Sequence, residues 1–296
     1  MPAWSTNGTA RPAAVAALPP AAKDPVAGER RRPVRKLDEL IVADVVLEQL
    51  RQTLTIVTHR QTLLETWNLA RLVPHRTGMA VNLYGPPGTG KTLCAEVMAS
   101  ALERELLVVD YTALVSKYVG DTPKHIASVF RAAERTGAVL FFDEADALLT
   151  AREHSGGEAA DSANLNRSVL LGELDRGGSV VVFATNRAAD YDPAFVRRMI
   201  AHIEIPLPDE ATRARLWERM LLDELPRAAD VDPRELASRS EGLSGADIVN
   251  VIVRAAARAV QREGDERRVA LADLLREVEA VREAARRIGS SWQASC

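Results

Sequence analysis

Residues 85 to 92 have the clearest capacity for chemistry. They read Gly85-Pro86-Pro87-Gly88-Thr89-Gly90-Lys91-Thr92, a G-x-x-x-x-G-K-T run that follows a short apolar stretch and opens a helical pattern. Glycines at these positions let successive backbone N–H groups curl around a phosphate, and the helix N-terminus adds its positive end. Lys91 is placed to reach the β- and γ-phosphates, and Thr92 to offer its hydroxyl to Mg²⁺. With Leu93 behind them, these residues form a candidate site for ATP and Mg²⁺.

A second constellation lies some fifty residues on. Val139-Leu140-Phe141-Phe142-Asp143-Glu144 is an apolar strand that ends in two carboxylates. Open α/β sheets bind ligands at the carboxyl ends of their strands, so Asp143 is expected to hold the metal through water. Glu144, one residue further, can polarise an attacking water, and that role points to hydrolysis over nucleotide binding alone.

The elements that must hold these groups are legible as periodicities. Short β-rich runs (80–84, 106–110, 138–142, 180–184 and 203–205) alternate with helical segments. Continuous apolar strands separated by helices indicate a parallel sheet covered on both faces. Residues 38 to 72 carry apolar positions at helical spacing and predict two helices before the first of these strands. After Pro208 the pattern is helical only. Starts are expected at Asp209, at Asp232 before Pro233, and at Ser244 with Asp247 three residues later as a capping pair; a last helix is predicted over 271–288. The expected domains are therefore an α/β unit over 37–208 and a helical unit over 209–288, with a short tail over 289–296.

Residues 1–36 hold six of the 15 prolines among many alanines, too few large apolar groups to offset the entropy of ordering, and are expected to form a disordered tail with a basic end at Arg30-Arg31-Arg32. Across 296 residues, 38 Lys and Arg stand against 41 Asp and Glu. A net charge of -3 removes the general case for a nucleic-acid binder. Two cysteines exclude a disulfide framework, and five histidines without paired ligand spacing argue against a zinc hydrolase. No apolar run is long enough for a spanning helix, and prolines flank Ala13 to Leu18 where a signal peptide would need its apolar region, so a cytoplasmic protein is expected.

Taken in order, the motifs resemble the AAA family of ATPases, in particular its classical protein-remodelling clade. The matching residues are Gly85 to Thr92, Phe142-Asp143-Glu144-Ala145-Asp146, Ala184-Thr185-Asn186-Arg187, Asp192-Pro193-Ala194, Arg197-Arg198, Ile205-Pro206-Leu207-Pro208 and Gly242 to Ile248. The resemblance implies a P-loop NTPase sheet followed by a small all-α lid. It also implies that Asn186 is a sensor orienting the attacking water, and that Arg197 and Arg198 are fingers acting in trans on a neighbouring subunit's γ-phosphate. Gly245 and Ala246 would pack against the adenine and ribose. Met199-Ile200-Ala201 departs from the Phe, acidic and basic residues common there. Val57 to Arg76 lacks the family's common Pro-x-x-Phe.

Ser116-Lys117-Tyr118-Val119-Gly120-Asp121 resembles the first pore loop of AAA hexamers, which implies that Lys117, Tyr118, Val119 and Gly120 grip a polypeptide in an axial channel. The polar, Gly-containing stretch Glu153 to Asn164 sits where a second pore loop would lie. The reading is a small stand-alone ATPase, homo-oligomeric and hexameric, acting on a protein substrate or adaptor. Two alternatives are a nucleotide-gated scaffold that does not thread its partner and a nucleic-acid loader. An aromatic content of 4% and a basic cluster confined to the leader speak against the loader.

Overall fold

The computed structural model describes residues 28–72, 78–111, 121–149, 158–186 and 191–288. Five parallel strands form the sheet: β2 (Met79–Tyr84), β3 (Leu106–Asp110), β4 (Val139–Asp143), β5 (Val180–Thr185) and β6 (Met199–Glu204). A sixth, β1 (Glu29–Arg31), pairs antiparallel with β3, and the order across the sheet is β1-β3-β4-β5-β2-β6. The apolar runs noted above are the central strands. Val81 of β2 lies opposite Val182 of β5 and Ala201 of β6, and Phe142 of β4 opposite Phe183 of β5.

Alternation along each strand divides the core in two. Val81, Leu83, Phe141 and Val182 face α1 (Asp44–Thr58) and α2 (Lys91–Ala101). Ala80, Leu107, Phe142 and Phe183 face α3 (Thr122–Thr136) and α5 (Glu158–Arg176). On this second face Phe142 stacks on Phe183 with centroids 5.3 Å apart and meets Phe130 of α3 at 6.2 Å. Two short helices, α4 (Asp146–Leu149) and α6 (Pro193–Val196), lie at the C-terminal edge of the sheet.

The helical unit comprises α7 (Glu210–Met220), α8 (Pro233–Arg239), α9 (Gly245–Ala259) and α10 (Leu271–Ile288) around Trp217, Leu236, Ile248, Val251 and Leu274. Trp217 is fully buried, and its indole N–H donates to Ser240 Oγ at 2.9 Å. The starts read from sequence are the observed ones. Asp209 accepts from Thr212 N, Asp232 from Arg234 N, and Ser244 and Asp247 cap each other's backbone reciprocally.

The structure differs from the sequence reading in three places. Residues 29–31, assigned to a tail without regular structure, form β1 along the otherwise bare edge of β3. Arg31 also reaches Glu29 and, in α2, Glu96, and Arg32 reaches Glu105 just before β3. The second helix expected before β2 is reduced to a π-helical turn (Thr62–Thr66) and a 3-10 turn (Leu69–Arg71), separated by Asn68 in the left-handed region. Trp67 and Leu72, counted toward that helix or its end, are 65% and 77% exposed. Helices gain most of their stability from a packed face, and of this segment only Leu64 packs, partly buried, against the core cluster. Finally, Glu158 to Asn164 belongs to α5, so the back half of the supposed second pore loop is helical. Lys117, Tyr118, Val119 and Gly120 lie outside the described residues, as does 150–157. No described helix is long and apolar enough to cross a membrane.

Candidate active site

The phosphate-binding loop joins β2 to α2 at the C-terminal edge of the sheet, and its close contacts explain its glycines. A Cβ on Gly85 would stand 2.2 Å from the Ile205 carbonyl oxygen, because the loop is pressed against the chain leaving β6. Gly88 has a φ of +76°, and a Cβ there would lie 2.5 Å from Ser244 Oγ and 3.0 Å from Ala246 Cβ. The N-terminus of α9 therefore rests directly on the loop. Ala246 N donates to Gly88 O at 3.2 Å, which makes Gly88, Gly245 and Ala246 one junction between the two units.

Lys91 is buried at 8% exposure, and its ammonium donates to the Gly85 and Pro86 carbonyls at 2.8 Å each. Burial lowers its pKa, and the nearby Asp143 and Asp146 carboxylates oppose that shift. Thr89 Oγ1 donates to Pro86 O at 2.9 Å and braces the same turn, with Pro87 at its apex. At the head of α2, Thr92 Oγ1 donates to Asp143 Oδ2 at 3.2 Å. The hydroxyl and the carboxylate, 51 residues apart in the chain, face a common point beside Lys91. This oxygen pair suits a hard cation that is also bound by phosphate oxygens.

The other carboxylate oxygen of Asp143 accepts from Glu144 N at 3.0 Å. Glu144 has a φ of +50° and is exposed, a conformation that costs on the order of 1 kcal/mol for a side chain with a Cβ. Ala145 N donates to Ala184 O at 2.9 Å, and the Asp146 carboxylate accepts from the Thr185 hydroxyl. These bonds tie the turn carrying Glu144 to the end of β5, where Asn186 follows as the next, exposed residue. The two turns are thus neighbours across the sheet edge.

The structure separates the two arginines. Both follow α6, whose N-cap Asp192 accepts from Ala194 N at 2.8 Å. Arg198 gives Nε and Nη2 to the two oxygens of Asp175 at 2.7 Å each, and Nη1 to Ala194 O at 2.8 Å. Asp175 holds the Arg198 pKa above its ordinary value. Arg197 is exposed.

Beside the loop lies an apolar cleft of about 220 Å³, lined by Ile41, Ala43, Leu93, Pro206, Met220 and Val249 among others. Its position between the segment before α1, the loop and the helical unit gives a flat apolar heterocycle a place next to the phosphates. The sequence reading named Leu93, Gly245 and Ala246 here and missed Ile41, Ala43, Met220 and Val249. A signal existed for the first two: Leu40-Ile41-Val42-Ala43 is a continuous apolar run just outside α1, which helical spacing did not account for.

Residues 81–207 match the family model described as "ATPase family associated with various cellular activities (AAA)", and residues 230–275 match the AAA+ lid domain. The chain belongs to the AAA family of ATPases. It is 39% identical to a cell division cycle protein 48 homolog of Archaeoglobus fulgidus over 206 residues, 67% of this chain and 27% of that protein. It is 39% identical to the ATP-dependent zinc metalloprotease FtsH 3 of Sphaerobacter thermophilus over 213 residues, 70% of this chain and 42% of that one. With the proteasome-activating nucleotidase of Archaeoglobus fulgidus it shares 31% over 272 residues, 88% of this chain and 66% of the relative. The AAA chain thus spans only part of the curated proteins it matches.

Proposed function

We propose that this AAA chain hydrolyses Mg-ATP as one subunit of a homo-hexameric ring and uses the cycle to remodel or thread a protein substrate. The observation that carries the hydrolytic part is the convergence of Lys91, the Thr92–Asp143 pair and the turn bearing Glu144 at one edge of the sheet. In this reading the loop amides and Lys91 hold the β- and γ-phosphates, and the apolar cleft holds the base. Thr92 and Asp143 would hold Mg²⁺. Bound there, the metal would neutralise phosphate charge and orient the γ-phosphoryl group. Glu144 takes a proton from the attacking water, and Asn186 orients that water.

Arg197 completes the site from the neighbouring subunit, where its charge meets the charge developing on the γ-phosphate. Its exposure favours it over Arg198, which is partly buried against Asp175. Relatives named as a proteasome-activating nucleotidase and as 26S proteasome regulatory subunit 4 homologs support a protein substrate. Because α9 sits on Gly88, a change at the phosphates reaches the lid without an intermediary. Tyr118 and Val119 would carry the motion to the substrate.

Recovery of Glu144→Gln from cells of its source with ATP present tests this reading. That variant should bind ATP without hydrolysing it. One protein enriched over a Lys91→Ala control and lost with Tyr118→Ala is the expected result. A partner indifferent to Tyr118 would replace threading by a scaffold role, and nucleic acid in its place would overturn the assignment of a protein substrate.

A further inference from the structure

The face of the sheet behind the active site carries a polar group that packing alone does not explain. Asn82 lies in the middle of β2, fully buried between Phe183 of β5 and His202 of β6. Neither its amide nitrogen nor its amide oxygen has a hydrogen-bond partner among the described residues. The hydroxyl of Tyr191 is in the same condition. Two orphaned groups in one place are unusual, because buried polar atoms in folded proteins are nearly always paired.

These groups are neighbours. The Tyr191 hydroxyl faces the Thr185 hydroxyl and the Asn82 side chain, and both favour its ionised form although burial raises its pKa overall. Neither contact reaches hydrogen-bonding geometry at Tyr191. Thr185 is itself bonded to Asp146. Each member belongs to a different part of the active site. Asn82 precedes the phosphate-binding loop by three residues, and Asp146 opens α4 just after Glu144. Thr185 adjoins Asn186, and Tyr191 adjoins Asp192, the N-cap of the helix that presents Arg197. Asp192 N also donates to Leu149 O at 2.8 Å, so α4 bears on the same turn.

Buried polar groups this close to one another that do not meet bonding geometry can be paired by a small shift of the turns that carry them. The loop strand, the Glu144 turn, the end of β5 before Asn186 and the turn before α6 each supply one of these four residues, so a shift that completes the contacts couples those segments. We propose that Asn82 and Tyr191 are positioning residues, which close on each other and on the Thr185–Asp146 pair when the phosphate site is engaged and thereby set Arg197 for the neighbouring subunit. The proposal rests on the reading of Arg197 given under Proposed function.

Asn82→Leu and Tyr191→Phe test it, each removing one orphaned group at nearly constant volume. Steady-state hydrolysis against ATP concentration should show kcat lowered about tenfold, with KM within about twofold of the parent. Thermal unfolding should show no loss of Tm, since each variant deletes a buried, unpaired polar group. Combined with Arg197→Ala, either change should add nothing further, because its effect runs through that arginine. Parental kcat in both single variants would overturn the proposal, as would losses that multiply with that of Arg197→Ala. If Arg197→Ala is itself fully active while Tyr191→Phe is slow, the finger reading fails and the route assigned to Tyr191 fails with it. If Arg197→Ala is slow and Tyr191→Phe is not, only the positioning role is lost.

Discussion

Lys91 shows how much can be read at the scale of single residues. The phosphate-binding loop is contiguous in the chain, so spacing in the sequence is geometry in the fold, and Gly85, Gly88, Lys91 and Thr92 converge on one turn at the edge of the sheet. Lys91→Ala should weaken ATP binding at least a hundredfold by titration with a fluorescent analogue, because the ammonium and its buried position are lost together. Retained tight binding would sink the site. The difference between the two arginines was not legible. Adjacent residues of one type look equivalent until the fold brings Asp175, 23 residues upstream, against one of them. Arg197→Ala should therefore lower kcat about a hundredfold or more with unchanged Tm. Arg198→Ala should cost about 1 kcal/mol of stability, the scale of a partly exposed ion pair, measurable in denaturant unfolding. Asn82 and Tyr191 escaped notice for a related reason, since an isolated Asn in an apolar run gains its meaning only from what lies across the sheet.

At the scale of elements, local chemistry was read well and long-range pairing poorly. The helix caps at Asp209, Asp232 and Ser244 are encoded within four residues each, and all are present. The three residues of β1 pair with a strand more than seventy positions away and show no alternation of their own, so nothing nearby announced them. The junction of loop and lid gives the sharpest element-scale prediction. Gly88→Ala forces a Cβ against Ser244, whose hydroxyl cannot turn away without abandoning the α9 cap. ATP affinity should fall about tenfold by the same titration, with the lid displaced from the loop.

The lid should also be sensitive to acid. Hydrogen bonding at the Thr212 end of the cap holds Asp209 below its ordinary 3.8, and Arg262 does the same for Asp273. Carboxyls depressed on folding contribute stability that is present above 3.8 and disappears as pH falls through their folded values. These two groups should leave Tm unchanged between pH 7 and about 5 and lower it below about 4. In Asp209→Asn the Tm should be lower at neutral pH and its decline below pH 4 shallower; identical curves would exclude that cap as a source of acid sensitivity.

At the scale of the whole molecule, the sheet gathers the loop, Asp143, Glu144 and Asn186 at one edge, and Arg197 stands exposed at the end of α6. On the function proposed above, one subunit offers a nucleotide site and, in Arg197, the charge that a neighbour's site needs in order to turn over. Heterologous contacts form a ring where the rotation between subunits closes, and the proposed ring would place activity at the interface between subunits. Mixing two inactive variants measures this directly. Lys91→Ala keeps Arg197 but cannot hold ATP, and Arg197→Ala holds ATP but lacks the charge for its neighbour. Random assembly from equal amounts leaves about a quarter of the interfaces with both groups intact. ATPase activity that is absent from each variant alone and appears on mixing is the result expected here. A mixture as inactive as its components, or an Arg197→Ala protein that hydrolyses ATP at the parental rate on its own, would contradict an active site shared between subunits.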